Sequence, residues 1–212
     1  VISTYQPKSV LAQVFFEPNP VLNDSITYDI TSWSMPYAYG LKAYALETRL
    51  DPSSAYQKST FTPNSVGSTP VAYLVNWNGT RDAAFLAELL NQKIRVKYAE
   101  FPFEVEGKSF PAGSLIITKG GNEYVGNFDK KVVETANKFK VTLATTQTGY
   151  MDKGKDFGSP NIRTIKTPKV ALVGGTGTSS LSFGEVWHFF EKELNYPLST
   201  LEAGSLGNFD LS

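Results

Sequence analysis

Residues 169–201 read KVALVGGTGTSSLSFGEVWHFFEKELNYPLSTL, and they contain a strand, a glycine-rich turn, a helix and a second strand. The continuous apolar run at 170–173 is typical of a strand that is covered on both faces. The helix that follows has large apolar residues at the i, i+3, i+4, i+7 spacing of a single stripe: Phe183, Val186, Trp187, Phe190 and Leu194. We expect this stripe to pack on a sheet and the helix to end before Pro197.

The same order of strand, turn and helix occurs twice earlier in the chain. The first copy predicts a strand over 71–75, a helix over 81–92 and a strand over 94–99. The second copy predicts a strand over 114–118, a helix over 128–139 and a strand over 141–145. Strands that alternate with helices are typically parallel, so we expect an α/β fold with a mainly parallel sheet and helices on both faces. This is a three-layer, flavodoxin-like sandwich.

One β-hairpin is expected between the first two copies. Residues 103–105 and 108–110 flank the turn residues Glu106 and Gly107. Hairpins are formed by two such short strands around a glycine-containing turn. The pattern therefore predicts a hairpin inserted into the α/β domain.

The first 66 residues differ from the repeated pattern and predict an N-terminal arm. A strand is expected over 10–16, and Asn23 or Asp24 can cap a short helix that Pro36 ends or kinks. Residues 51–68 are rich in Ser, Thr, Pro and Gly, as linkers are. We therefore divide the chain into an arm (1–66) and an α/β domain (67–212). The start without methionine and the end within a turn indicate a piece of a longer protein whose α/β domain is truncated at its C-terminus.

Composition excludes several classes of function. The chain has 20 basic and 20 acidic residues, so no general positive field attracts nucleic acid or an anionic membrane. No apolar run approaches the ~20 residues of a membrane span. The absence of cysteine excludes disulfides, thiolate metal sites and a cysteine nucleophile.

The best candidate for a ligand site is the glycine loop, residues 174–180. Its members are Gly174, Gly175, Thr176, Gly177, Thr178, Ser179 and Ser180. A strand, a glycine loop and a helix can direct backbone N–H groups at a phosphate or carboxylate, and Glu202 could hold a ribose. However, Ser180 stands where the dinucleotide fingerprint requires Gly or Ala, and the lysine of a P-loop is missing. The glycines alternatively make only a tight turn, which Ser179 or Ser180 caps.

His188 is the only histidine, and it does not predict a metal or catalytic site. A catalytic zinc typically has three protein ligands, whereas His188 has only Glu185 at helical spacing. A hydrolase using Ser179 or Ser182 with His188 lacks a nucleophile-elbow motif. We therefore expect no catalytic residue and no cofactor in this segment.

Three strings resemble a region of known proteins: DSITYDITSWSMPYAYG at 24–40, FEVEGKSFPAGS at 103–114 and SFGEVWHFF at 182–190. They are similar, in the same order, to the C-terminal, non-catalytic region of large bacterial secreted zinc carboxypeptidases of the carboxypeptidase A-like class. That region is similar to class I glutamine amidotransferase-like domains. The family's zinc-binding His-x-x-Glu motif and the amidotransferase's nucleophilic cysteine are both absent here.

The resemblance implies a non-catalytic accessory domain in a secreted or periplasmic bacterial protein. It implies that zinc belongs only to the catalytic domain, and that this peptidase domain of the same polypeptide is the main partner. A peptide or small molecule and a second copy of the chain, joined through an exposed edge strand, are further expected partners. The alternative hypothesis is a binding domain for an anion or nucleotide that uses the glycine loop.

Overall fold

The computed structural model describes residues 2–17, 34–51, 54–67 and 69–208. The chain forms two compact units, Val1–Thr60 with Asn78–Thr80 and Phe61–Trp77 with Arg81–Ser212. In chain order the elements are α1 (Ser9–Phe16), α2 (Met35–Ala38), β1 (Ala72–Val75), α3 (Thr80–Asn91), β2 (Lys97–Ala99), β3 (Phe103–Val105), β4 (Lys108–Phe110), β5 (Leu115–Thr118), α4 (Phe128–Lys138), β6 (Ala144–Thr146), β7 (Ile162–Thr164), β8 (Val170–Gly174), α5 (Ser180–His188) and β9 (Leu198–Glu202), with a π-helical turn at Phe189–Glu193 and a 3-10 turn at Ala203–Asn208.

The first unit contains a helix where the sequence predicts a strand. Residues 9–16 form α1, so the prediction of a strand over 10–16 is wrong. Val10 and Val14 are four residues apart, as are Leu11 and Phe15, and this spacing places them on one side of a helix. The helix predicted after Asn23 or Asp24 lies mostly outside the described residues.

The central sheet of the second unit has the strand order β6-β1-β5-β2-β7. All four neighbouring pairs are antiparallel. The prediction of a mainly parallel, flavodoxin-like sandwich similar to glutamine amidotransferases is therefore wrong. The parallel pair among the described strands is β8 with β9, which form a separate two-stranded sheet.

The sheet is antiparallel because the two strands that a helix connects are not neighbours. Another strand, which runs in the opposite direction, lies between them. β1 and β2 run in the same direction, as the β-α-β pattern predicts, because both are antiparallel to β5. β5 lies between them, and β1 likewise lies between β5 and β6. This is the split β-α-β arrangement, with β7 added beside β2. A crossover determines the relative direction of its two strands but not whether they are neighbours.

The two faces of the sheet are covered by different elements. Phe85 and Leu89 of α3 pack with Val132 and Ala136 of α4 against one face. The opposite face is covered by the β3–β4 hairpin and by Phe157. Both faces are thus buried, which explains the continuous apolar strands, but the helices do not lie on both faces as predicted. The hairpin itself is confirmed, with Phe103 opposite Phe110 and Val105 opposite Lys108.

The β8–α5–β9 segment forms the strand, loop, helix and strand expected from residues 169–201. Its helical stripe is only partly covered, which differs from the prediction. Phe190 and Leu194 pack near Val170 and Tyr196, whereas Val186 is 41% exposed and Trp187 is 38% exposed. A sheet of two strands is too narrow to cover all of the stripe, so its flanking residues remain in contact with solvent.

Candidate functional site

The glycine loop forms a tight turn that is held by its own hydrogen bonds. Gly175 and Gly177 have φ angles of +95° and +89°, which favour glycine. The Thr178 backbone N–H and Oγ1 donate to the Gly175 carbonyl at 3.1 and 2.7 Å. Ser179 caps α5 by accepting a hydrogen bond from the Ser182 N–H at 3.3 Å, which confirms one of the two predicted caps.

The loop is accessible, but an acidic side chain lies against it. Gly174 is buried, whereas residues 175–180 are exposed. Glu202 is paired with Gly174 across the β8–β9 sheet, and its carboxylate contacts Gly175 so closely that a Cβ at Gly175 would overlap it. This negative charge opposes an anion at the start of α5. Glu202, the residue expected to hold a ribose, thus lies directly beside the glycine loop. Binding of a nucleotide by residues 174–180 stays a prediction.

The only histidine of the sequence lies on the surface of α5. His188 is exposed in the last turn of the helix. No hydrogen bond among the described residues joins His188 to Ser179 or Ser182. The described residues also include no group of three or more His, Cys, Asp or Glu side chains that could hold a metal ion.

A second loop, which the sequence did not single out, borders a cleft of about 370 Å³ between the end of β5 and the start of α4. Its polar centre is Asp129, which accepts a hydrogen bond from the buried Tyr73 hydroxyl at 2.9 Å and lies 3.5 Å from Lys119 Nζ. Burial and the bond to Asp129 raise the pKa of Tyr73, so its hydroxyl remains protonated. The signal for this cleft is the Gly120–Gly121 turn after an apolar strand, the same pattern as in the glycine loop.

The charges around this cleft are compensated by their neighbours. Lys119 pairs with Asp129, and the two carboxylate oxygens of Glu123 share the Gly121 N–H, each at 2.9 Å. Lys130 lies 3.8 Å from Glu134 on the same helix. Lys119, Asp129 and Lys130 thus each have a partner of opposite charge among the described residues.

The most distinctive surface of the second unit is apolar. Leu181 is 85% exposed and Phe189 is 39% exposed, and Val186 and Trp187 lie on the same helical segment. No residue of α5 is buried. Where exposed apolar side chains adjoin one another, the patch that they form is typical of a contact with another protein or domain. We call Leu181, Val186, Trp187 and Phe189 the α5 apolar surface.

No family model, curated protein or solved structure matches the chain. None of the described helices is long and apolar enough to cross a membrane.

Proposed function

We propose that this chain is a non-catalytic accessory region of a zinc-carboxypeptidase-like bacterial protein, and that it acts by contact with the peptidase domain of the same polypeptide. Two of the three resembling strings fall on well-defined elements, the β3–β4 hairpin and α5. The proposal assigns catalysis and zinc to the peptidase domain, and it places the protein in the periplasm or outside the cell.

The observation that carries the proposal is the α5 apolar surface. A large apolar side chain gains roughly 1.5–3 kcal/mol on full burial. Leu181, at 85% exposed, therefore leaves most of that free energy unused, and Phe189, at 39%, leaves a smaller part. Contact with a second domain would recover it. The acidic residues Glu185, Glu191 and Glu193 on the same segment would form a polar rim around such a contact.

The first test concerns the gene. The reading frame should encode, before Val1, a His-x-x-Glu motif and a second histidine, which are the zinc ligands of the family. A complete frame that lacks these residues would contradict the proposed parent protein.

The second test concerns the α5 apolar surface in the full-length protein. Leu181→Asp and Phe189→Asp should each lower the melting temperature of the full-length protein by several degrees, because a charge would enter the domain contact. The matched control is Tyr150→Asp, since Tyr150 is also an exposed aromatic residue, at 77%. In the isolated chain Leu181→Asp should behave like this control. If both surface variants equal the control in the full-length protein, the α5 apolar surface is not the contact.

A further inference from the structure

The C-terminal end of α4 forms a well-defined turn that holds one residue, Asn64. Lys140 has a φ angle of +55°, and its N–H donates to the Asn137 carbonyl at 3.2 Å. The Val141 N–H donates to the Ala136 carbonyl at 2.8 Å. These two bonds form a Schellman motif, in which a left-handed residue ends the helix. The motif fixes the backbone between α4 and β6, next to which Asn64 is bound.

All four polar groups of Asn64 are hydrogen-bonded there. Its backbone N–H and its Nδ2 donate to Asn137 Oδ1 at 2.7 and 2.9 Å, and its backbone carbonyl accepts from Asn137 Nδ2 at 2.9 Å. Nδ2 also donates to the Val141 carbonyl at 2.8 Å, and Oδ1 accepts from the Leu143 N–H at 2.9 Å. We call Asn137, Val141 and Leu143 the asparagine site. The site selects a short side chain that has both a donor and an acceptor, because aspartate lacks the donor and glutamine is one methylene longer.

The residues around Asn64 add little burial to this contact. Thr62, Pro63 and Ser65 are exposed. Residues 54–60, which precede the contact, are also exposed and form neither helix nor strand. A segment with few buried contacts opens at a low free energy, so residues 61–66 can leave the asparagine site without unfolding of the sheet.

We propose that the asparagine site is a binding site for asparagine-containing peptide segments, and that residues 61–66 are its intramolecular ligand. The segment is tethered a few residues before β1, so it competes with an external peptide at an effective concentration in the millimolar range. The site is thus masked in the free chain, and it accepts an external peptide when the internal segment is displaced. This binding is independent of the α5 apolar surface.

The test uses the full 212-residue chain and a synthetic peptide with the sequence of residues 59–68, STFTPNSVGS. Asn64→Ala removes three of the five hydrogen bonds and so weakens the internal ligand. The backbone amide of Leu143 reports on occupancy in NMR spectra, since its N–H donates to Asn64 Oδ1. Its resonance should shift in the variant, and added peptide should return it to the wild-type position.

The peptide should bind Asn64→Ala about tenfold or more tightly than it binds the wild-type chain, because the internal competitor is weakened. Ser65→Ala, at the exposed neighbouring position, is the matched control and should bind the peptide no better than wild type. Adding Asn137→Ala to the release variant should abolish binding, because Asn137 makes three of the five bonds. Asn64→Asp is a second release variant, since its carboxylate would face the Val141 carbonyl, and it should also gain affinity for the peptide.

Two results would overturn the proposal. One is a Leu143 resonance that does not respond to millimolar peptide in either release variant. The other is an equal response to a control peptide that has aspartate in place of the asparagine, because the asparagine site would then not recognise the amide.

Discussion

The buried side chain of Asn122 connects the backbone just before β2 to the end of β5 by hydrogen bonds. It is 1% exposed, and its Oδ1 accepts the Arg95 backbone N–H at 2.8 Å. Its Nδ2 donates to the carbonyls of Arg95 and Thr118, both at 2.9 Å. Asn122→Ala removes these three bonds and a longer one, 3.5 Å, from the Tyr124 hydroxyl, and it leaves the backbone groups without these partners.

The expected cost follows from these three bonds. A typical intramolecular hydrogen bond contributes about 0.5–1.5 kcal/mol net, so the variant should lose about 2–4 kcal/mol of unfolding free energy. With a urea m value of about 1–3 kcal/mol/M, this lowers the unfolding midpoint by about 1–2 M. Circular dichroism and tryptophan fluorescence during urea titration at pH 7 would measure the shift.

Two further variants separate the hydrogen bonds from the change in volume. Asn122→Asp keeps the size of the side chain but directs a carboxylate at the carbonyls of Arg95 and Thr118, so it should be at least as destabilising as alanine. Ser109→Ala, at an exposed position on β4, should change stability by less than about 0.5 kcal/mol. If Asn122→Ala equals Ser109→Ala, or if the aspartate variant is near wild type, the assigned hydrogen bonds do not stabilise this junction.

Three other perturbations test separate parts of the second unit. Asn64→Ala removes three side-chain hydrogen bonds to α4 and to the segment before β6, and it should lower the unfolding free energy by about 2–3 kcal/mol in urea titration; a loss below about 0.5 kcal/mol would contradict the contact. The hydrogen bond from Lys138 at 2.7 Å, with a second bond from Gln92, lowers the pKa of Glu88 in the folded chain, so this stabilisation is present at neutral pH and is lost as the pH falls through the folded pKa. Glu88→Gln should thus cost about 1 kcal/mol at pH 7 and progressively less as the pH falls through the folded pKa of Glu88, and a difference that does not depend on pH would refute the assignment. Gly154 and Gly113 both have positive φ, at +101° and +85°, but only at Gly154 would a Cβ meet another atom as close as 2.8 Å. Gly113→Ala should cost about 1 kcal/mol and Gly154→Ala at least about 1 kcal/mol more, measured as melting temperatures; equal losses would show that this close contact is relieved at no cost.

Local patterns in the sequence predicted most elements of the second unit. The helix expected over 128–139 is α4, Phe128–Lys138, and the hairpin around Glu106 and Gly107 forms as expected. These predictions succeed because helical spacing and turn chemistry depend on neighbours within about four residues. The arm shows the limit of the same reasoning, since residues 10–16 carry apolar side chains that suit both a strand and a helix.

The candidate site could be located only in part. The turn at residues 174–180 and the cap by Ser179 follow from glycine and serine at the right spacing. The contact of Glu202 with Gly175 requires the parallel register of β8 and β9, which joins residues about 28 positions apart. The cleft at Asp129 likewise depends on Tyr73, which lies on another strand of the sheet.

By itself, the amino-acid sequence determined the apolar strands, the amphipathic helices, the hairpin turn and the lack of thiol chemistry, because these depend on residue type and local spacing. Only the tertiary structure decided which strands are neighbours, and therefore that β5 separates β1 from β2 and makes the sheet antiparallel. It also decided that the hairpin covers the face opposite the helices and that the α5 apolar surface remains open. The physical reason is that an apolar side chain gains a similar free energy against any apolar neighbour, so hydrophobic pattern specifies burial but not the partner.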